Sequence, residues 1–99
     1  QSTKALNWLI DPLDGTNNYL HNIPLYSTSI GLVQDNLPIA GIIHDPNRKE
    51  TFYAWKNGGA WLNGNRIHCA PIPQLNKSMI ATGFPYYMFD KFEAYMHIL

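Results

Sequence analysis

The chain reads as an α+β fold, a mainly antiparallel sheet flanked by helices, and three features of the sequence predict it. Tyr26, Thr28, Ile30 and Leu32 alternate with Ser27, Ser29 and Gly31, the period of two expected of a strand with one covered face. Apolar, β-branched runs follow one another across very short turns, at Gln34-Asp35-Asn36, Asp45-Pro46-Asn47, Lys56-Asn57-Gly58-Gly59 and Asn63-Gly64. Connections so short join antiparallel neighbours. Near the end of the chain Phe89, Phe92, Met96 and Leu99 recur at helical spacing instead.

Taken in order, Trp8 to Ile10 is an apolar run that predicts a buried strand with Asp11 at its end. Pro12 lacks an N–H and has a fixed φ, so it is expected to stop both ladder pairing and helix. Gly15-Thr16 then opens a short helix through Asn17 to Leu20. Leu25 to Val33 is the alternating strand. Leu37 to His44, with Ile39, Ile42 and Ile43, is the next, and Glu50 to Trp55 is a third. Asn63-Gly64, the dipeptide favoured in a type I′ turn, joins Ala60–Leu62 to Asn65–Ile67. After Pro71 and Pro73, Ser78 to Thr82 reads as one more strand, and the helix from about Phe89 is expected to cover one face of the sheet. No repeat, low-complexity tract or Pro/Gly/Ser-rich linker interrupts the chain, which predicts one continuous unit.

The chemistry concentrates in Asp11-Pro12-Leu13-Asp14-Gly15-Thr16. Two carboxylates flank a forced bend, so Asp11 and Asp14 can converge with the Leu13 carbonyl directed between them. An all-oxygen cluster of that kind suits Mg²⁺. Gly15 permits close backbone approach, and the Gly15 and Thr16 amides at the mouth of a short helix can cradle a phosphate. A purely structural alternative exists, in which Asp14 caps the following turn and Asp11 makes a surface Asx turn.

The longer segment WLIDPLDGTNNYLHNIPLYSTSIGLV closely resembles the first signature of the inositol monophosphatase family of Mg²⁺-dependent, lithium-sensitive phosphatases. IAGIIHDPNRKETFYAWKNGGAWLNGNRI resembles the family's paired strands and G-G-A-x-x-N-G turn, and KSMIATGFPY the strand and bend after it. The resemblance implies that residues 1–99 are the central portion of a larger catalytic unit with the layered sugar-phosphatase fold. It implies metal ligation by Asp11, Leu13 and Asp14, phosphate binding by Gly15 and Thr16, catalytic roles for Thr16 and Asp14, and a homodimeric intact protein. The family's metal site also draws on an upstream acid and a downstream W-D-x-A-A-G-like segment, neither of which occurs here. The isolated chain is therefore expected to be inactive. A start at Gln1 without Met and a final amphipathic pattern with no stop signal also read as a piece of a longer protein.

Such a site points to direct hydrolysis of a small phosphate monoester. Anionic oxygens repel a nucleophile, so the reaction needs cations to neutralise charge and to activate water. The Thr16 hydroxyl can orient that water if a nearby acid accepts its proton. A haloacid dehalogenase-like D-x-D-G-T reading fails on spacing, because Pro12 stands where the nucleophilic aspartate belongs. Bisphosphate nucleotidases and fructose bisphosphatases are nearer alternatives. Asn17-Asn18-Tyr19 resembles the inositol phosphatase branch more than either of these. A non-catalytic scaffold that keeps the fold is the alternative of another class.

Composition narrows the remaining choices. Seven basic and seven acidic residues give zero formal charge, with no basic stripe to suggest a nucleic-acid partner. No apolar run approaches the roughly 18 residues of a membrane span. The single Cys69 excludes an internal disulfide, reads as a small half-buried apolar residue, and fits a reducing cytoplasm. His21, His44, His68 and His97 lack zinc-site pairing and read as structural or surface residues. Trp8, Trp55, Trp61 and the six tyrosines read as core packing. Gly58-Gly59 joins two strands and is assigned to turn geometry, and Gly83-Phe84-Pro85-Tyr86 to a proline-directed turn.

Overall fold

Six strands carry the pattern of turns into three dimensions: β1 Leu6–Asp14, β2 Ser27–Gln34, β3 Leu37–Asp45, β4 Glu50–Trp55, β5 Gly59–Leu62 and β6 Asn65–Ile67. They form one antiparallel sheet in sequential order from β1 to β6. Between β1 and β2 lies a five-residue helix, α1, Thr16–Leu20. The computed structural model describes residues 5–83 and 89–98. They fall into two units, Gln1–Cys69 and Ala70–Leu99.

The hairpin turns follow local chemistry. Asp35 and Asn36 both take positive φ, 50° and 64°, and so do Asn63 and Gly64, 48° and 84°. That is the type I′ signature, whose twist matches the flanking strands. Between β3 and β4 the Asp45 carboxylate accepts the Asn47 and Arg48 amides at 2.9 and 3.1 Å, an Asx turn. Asn63 also clamps the last hairpin to β4. Its side chain accepts from the Thr51 amide at 2.9 Å and donates to the Lys49 carbonyl at 3.1 Å.

Register separates the two faces of the sheet. Asp11, Ser29, Ile43, Phe52 and Leu62 form one cross-strand row, and Ile10, Ile30, Ile42, Tyr53 and Trp61 form the next, on the opposite face. On that second face Tyr53, Trp55 and Trp61 stack with centroids 6.4 and 6.0 Å apart, and the Arg66 guanidinium lies 5.5 Å from the Trp61 ring. A Cβ on Gly58 or Gly59 would collide with the Trp55 ring or the Arg66 guanidinium. The Gly-Gly turn thus exists to let those two side chains lie over it, and the Trp61 indole donates to the Gly58 carbonyl at 2.9 Å.

Several expectations are corrected. The run Trp8–Ile10 is not buried: the three residues are 66%, 61% and 62% exposed, because the faces of the sheet onto which they project are open. Among the described residues no hydrophobic side chain is fully buried, so Trp8 and Trp55 are not core residues, while Trp61 is half-buried within its stack. Cys69 is exposed rather than half-buried. The alternating strand starts at Ser27 rather than Leu25, the Leu25 and Tyr26 backbone being taken up in contacts with the Gly15 turn.

In the second unit, a 3-10 turn at Leu75–Lys77 precedes residues 78–83, which form no strand. The apolar run at 79–81 stays exposed, Met79 at 95%. A 3-10 turn at Phe89–Lys91 leads into α2, Phe92–Met96. Leu99 and most of the Gly83–Tyr86 bend lie outside the described residues. No helix among the described residues is long and apolar enough to cross a membrane.

Candidate active site

Asp11 and Asp14 are three residues apart, and in a regular strand they would point to opposite faces. Pro12 does not end the strand, as its missing N–H led us to expect. Asp11 pairs with Ser29 and Asp14 with Ser27, so three steps on β1 match two on β2 and one residue is extra. Proline is tolerated within sheets at such bulges and on edge strands, and β1 is both. The bulge restores the phase of the pleat. Ser27 and Ser29 share a face of β2, and their partners Asp14 and Asp11 therefore share it too. The two carboxylates emerge side by side in the chain's register because of that single inserted residue.

Beyond the bulge the chain turns sharply. Gly15 takes φ +92°, and a Cβ there would lie 2.8 Å from the Leu25 carbonyl oxygen and 3.2 Å from the Tyr26 Cα. Only glycine meets both demands. The close backbone approach that glycine was expected to allow is thus made to the Leu25-Tyr26 segment. Gly15 precedes α1 directly, and no side chain caps the first turn. The helix is held by its own residues: Asn18 Nδ2 donates to the Leu25 carbonyl at 2.8 Å, and the Tyr19 ring meets Tyr26 edge-on at 5.2 Å. His21 Nδ1 lies 2.7 Å from the Asn17 carbonyl, a helix-end contact that fits its structural reading.

Both the structural and the chemical readings of the loop have support in the contacts. Asp11 Oδ1 accepts the Leu13 amide at 3.3 Å, an Asx contact, while its carboxylate stays exposed. The Leu13 carbonyl accepts the Thr16 hydroxyl at 3.2 Å, leaving a second lone pair on that oxygen. Asp14 makes no cap to α1. It lines a hollow with Gly15, Asn18, Tyr26, Asp45 and Phe52. Asp45, though near, has one carboxylate oxygen committed to its own turn and the other 4.0 Å from Arg48 Nε. Among the described residues no three His, Cys, Asp or Glu side chains form a metal cluster. The chain therefore brings Asp11, Leu13, Asp14, Gly15 and Thr16 together on one loop, with Asp45 lining the same hollow as Asp14 but held in its own turn.

Two residues that position this loop escaped the sequence reading. Asn18 could have been suspected from its place in the D-G-T-N-N run. Thr28, whose hydroxyl donates to the Pro12 carbonyl at 3.0 Å, carried no local signal, because the contact depends on the pairing of β1 with β2.

Comparison with known proteins settles the family. The inositol monophosphatase family model matches residues 1–96. The chain belongs to that family. It is 45% identical to "Nus factor SuhB" of Xylella fastidiosa over 85% of this chain and 30% of that protein. It is 43% identical to "Inositol-1-monophosphatase" of Synechocystis sp., over 80% of this chain and 28% of that one. Among solved structures, the extragenic suppressor protein suhB of Bartonella henselae superimposes with a TM-score of 0.84 at 35% identity, covering 92% of this chain and 35% of its own. The chain spans about a third of the length of the curated relatives it matches. Its antiparallel sheet with few helices is a part of the inositol monophosphatase fold.

Proposed function

We propose that this chain carries the metal and phosphate loop of a phosphoric monoester hydrolase, whose intact form hydrolyses a small phosphate monoester, inositol monophosphate foremost, with Mg²⁺ as cofactor. The observation that carries the reading is the Pro12-Leu13 bulge, which puts Asp11 and Asp14 on one face immediately before the Gly15-Thr16 entry to α1. The donor chemistry fits a hard divalent cation: two exposed carboxylates and the Leu13 carbonyl offer oxygen only. It is part of a ligand set, and further acids from the rest of the intact protein complete it in this reading. A cation bound there neutralises phosphate charge and lets water act as a nucleophile near neutral pH.

The chain's own residues supply position. Thr16 donates its hydroxyl proton to the Leu13 carbonyl, so its lone pairs face outward to accept a hydrogen bond from the attacking water. The uncapped amides at the start of α1, with Gly15, hold phosphate oxygens. Water attacks phosphorus, the alcohol departs with a proton, and inorganic phosphate is released with no covalent bond to the protein.

A substrate panel with the intact protein tests this reading: inositol monophosphate, a 3′,5′-bisphosphate nucleotide and fructose 1,6-bisphosphate. Preference for the first supports the inositol branch, and preference for another ester keeps the mechanism and replaces the substrate. The second reading, a scaffold that retains the fold, draws on the name "Nus factor" carried by the Xylella relative. Silence on all three esters would favour it.

A further inference from the structure

We propose that Thr28 is the positioning residue of this loop, holding the Asp11–Asp14 segment in its bulged path from the opposite face of the sheet. The inference rests on the reading of that loop as the metal site. Thr28 occupies a singular place in the register. Its neighbours Ser27 and Ser29 pair with Asp14 and Asp11, and the ladder passes from one pair to the other without engaging Pro12 or Leu13. A bulge of this kind leaves its extra residue outside the ladder. Pro12 cannot compensate through an N–H, since it has none. The Thr28 hydroxyl supplies the missing link, donating to the Pro12 carbonyl at 3.0 Å.

The geometry explains why this contact governs the carboxylates. Alternation places Thr28 on the face opposite Ser27 and Ser29, and hence opposite Asp11 and Asp14. It therefore touches the bulge from behind and leaves the face bearing the acids open. Thr28 is itself fixed on its other side. It pairs with His44 of β3, whose Nδ1 lies 2.9 Å from the Thr51 hydroxyl of β4. The bulge is thus tied to the interior of the sheet, whereas β1 lies at its edge. If the tie is lost, the inserted residue can migrate along β1. Once it leaves the Asp11–Asp14 interval, regular alternation returns the two carboxylates to opposite faces.

The test compares Thr28→Val with Thr28→Ser in the intact protein. Valine keeps the branched shape and strand preference but removes the donor, while serine keeps the donor. Mg²⁺ affinity is read by calorimetric titration with the metal alone, amide hydrogen exchange over residues 13–16 reads the loop, and the melting temperature reads the fold. The proposal predicts about tenfold weaker Mg²⁺ binding in Thr28→Val, as for loss of a group that orients a metal ligand. Faster exchange confined to residues 13–16, an unchanged melting temperature, and near-normal behaviour of Thr28→Ser are expected with it. Wild-type affinity in Thr28→Val, equal damage in Thr28→Ser, or a lowered melting temperature with exchange spread across β2 to β4 would each overturn it. A wild type that binds Mg²⁺ yet hydrolyses no phosphate ester would defeat the phosphatase reading alone, leaving the Thr28 comparison to be read on affinity and exchange. A wild type that binds no Mg²⁺ would overturn both.

Discussion

At the scale of single residues, the proposed site rests on oxygen atoms of Asp11, Leu13 and Asp14, of which Asp11 Oδ1 and the Leu13 carbonyl each already accept one hydrogen bond. Asp14 is exposed at the mouth of the hollow and makes no helix cap. Asp14→Asn in the intact protein should therefore leave the sheet folded and lower turnover by about a hundredfold or more, through loss of ligand charge. Turnover close to wild type, with an unchanged circular dichroism spectrum, would remove Asp14 from the metal site. Thr16 is argued to hold water rather than substrate, so Thr16→Ala should reduce kcat while KM changes little. A rise in KM alone would make it a binding residue. Gly15 combines a φ of +92° with a backbone oxygen 2.8 Å from where a Cβ would sit. Gly15→Ala should cost about 1–3 kcal/mol of stability, and an unchanged urea midpoint would contradict the strain assigned to that turn.

At the scale of elements, the sheet is assembled from hairpins, and their turn residues made it legible. Asp35-Asn36, the Asp45 Asx turn and Asn63-Gly64 each combine a backbone demand with a residue that meets it, which is why the strand order could be read from local chemistry. Asn63 adds two side-chain hydrogen bonds to Thr51 and Lys49. Asn63→Ala should cost about 1 kcal/mol or more. Asn63→Gly, which relieves the backbone but not the lost bonds, should cost less than alanine, and the reverse order in thermal unfolding would contradict the clamp. Legibility fails where the outcome depends on a distant partner. Residues 78–82 read as a strand but form none, and Trp8–Ile10 is apolar without being covered. The motif's residues were readable from Asp11 to Thr16. The bulge that puts both carboxylates on one face was not, because it is a property of β1 and β2 together, and the role of Thr28 went unseen with it.

At the scale of the whole molecule, the six strands form a sheet whose apolar side chains remain open on both faces. Leu9 at 61% and Ile43 at 48% represent one face, Ile10 at 62% and Trp55 at 49% the other. Burial is the dominant source of folding free energy, and here little of it has been collected. The chain spans about a third of the length of the curated relatives it matches, and in the proposed reading it supplies only part of a ligand set. The isolated 99-residue chain should accordingly release no phosphate from inositol monophosphate with Mg²⁺ present; robust release by the purified chain would show that Asp11, Asp14 and Thr16 suffice. For the intact protein, the decisive measurement is phosphate release after chelation and after stepwise return of Mg²⁺, in wild type and in Asp14→Asn. The account predicts activity that vanishes on chelation, returns with Mg²⁺ in the wild type, and does not return in the variant at the same concentrations. Turnover that persists without divalent metal, or returns equally in both proteins, would contradict it.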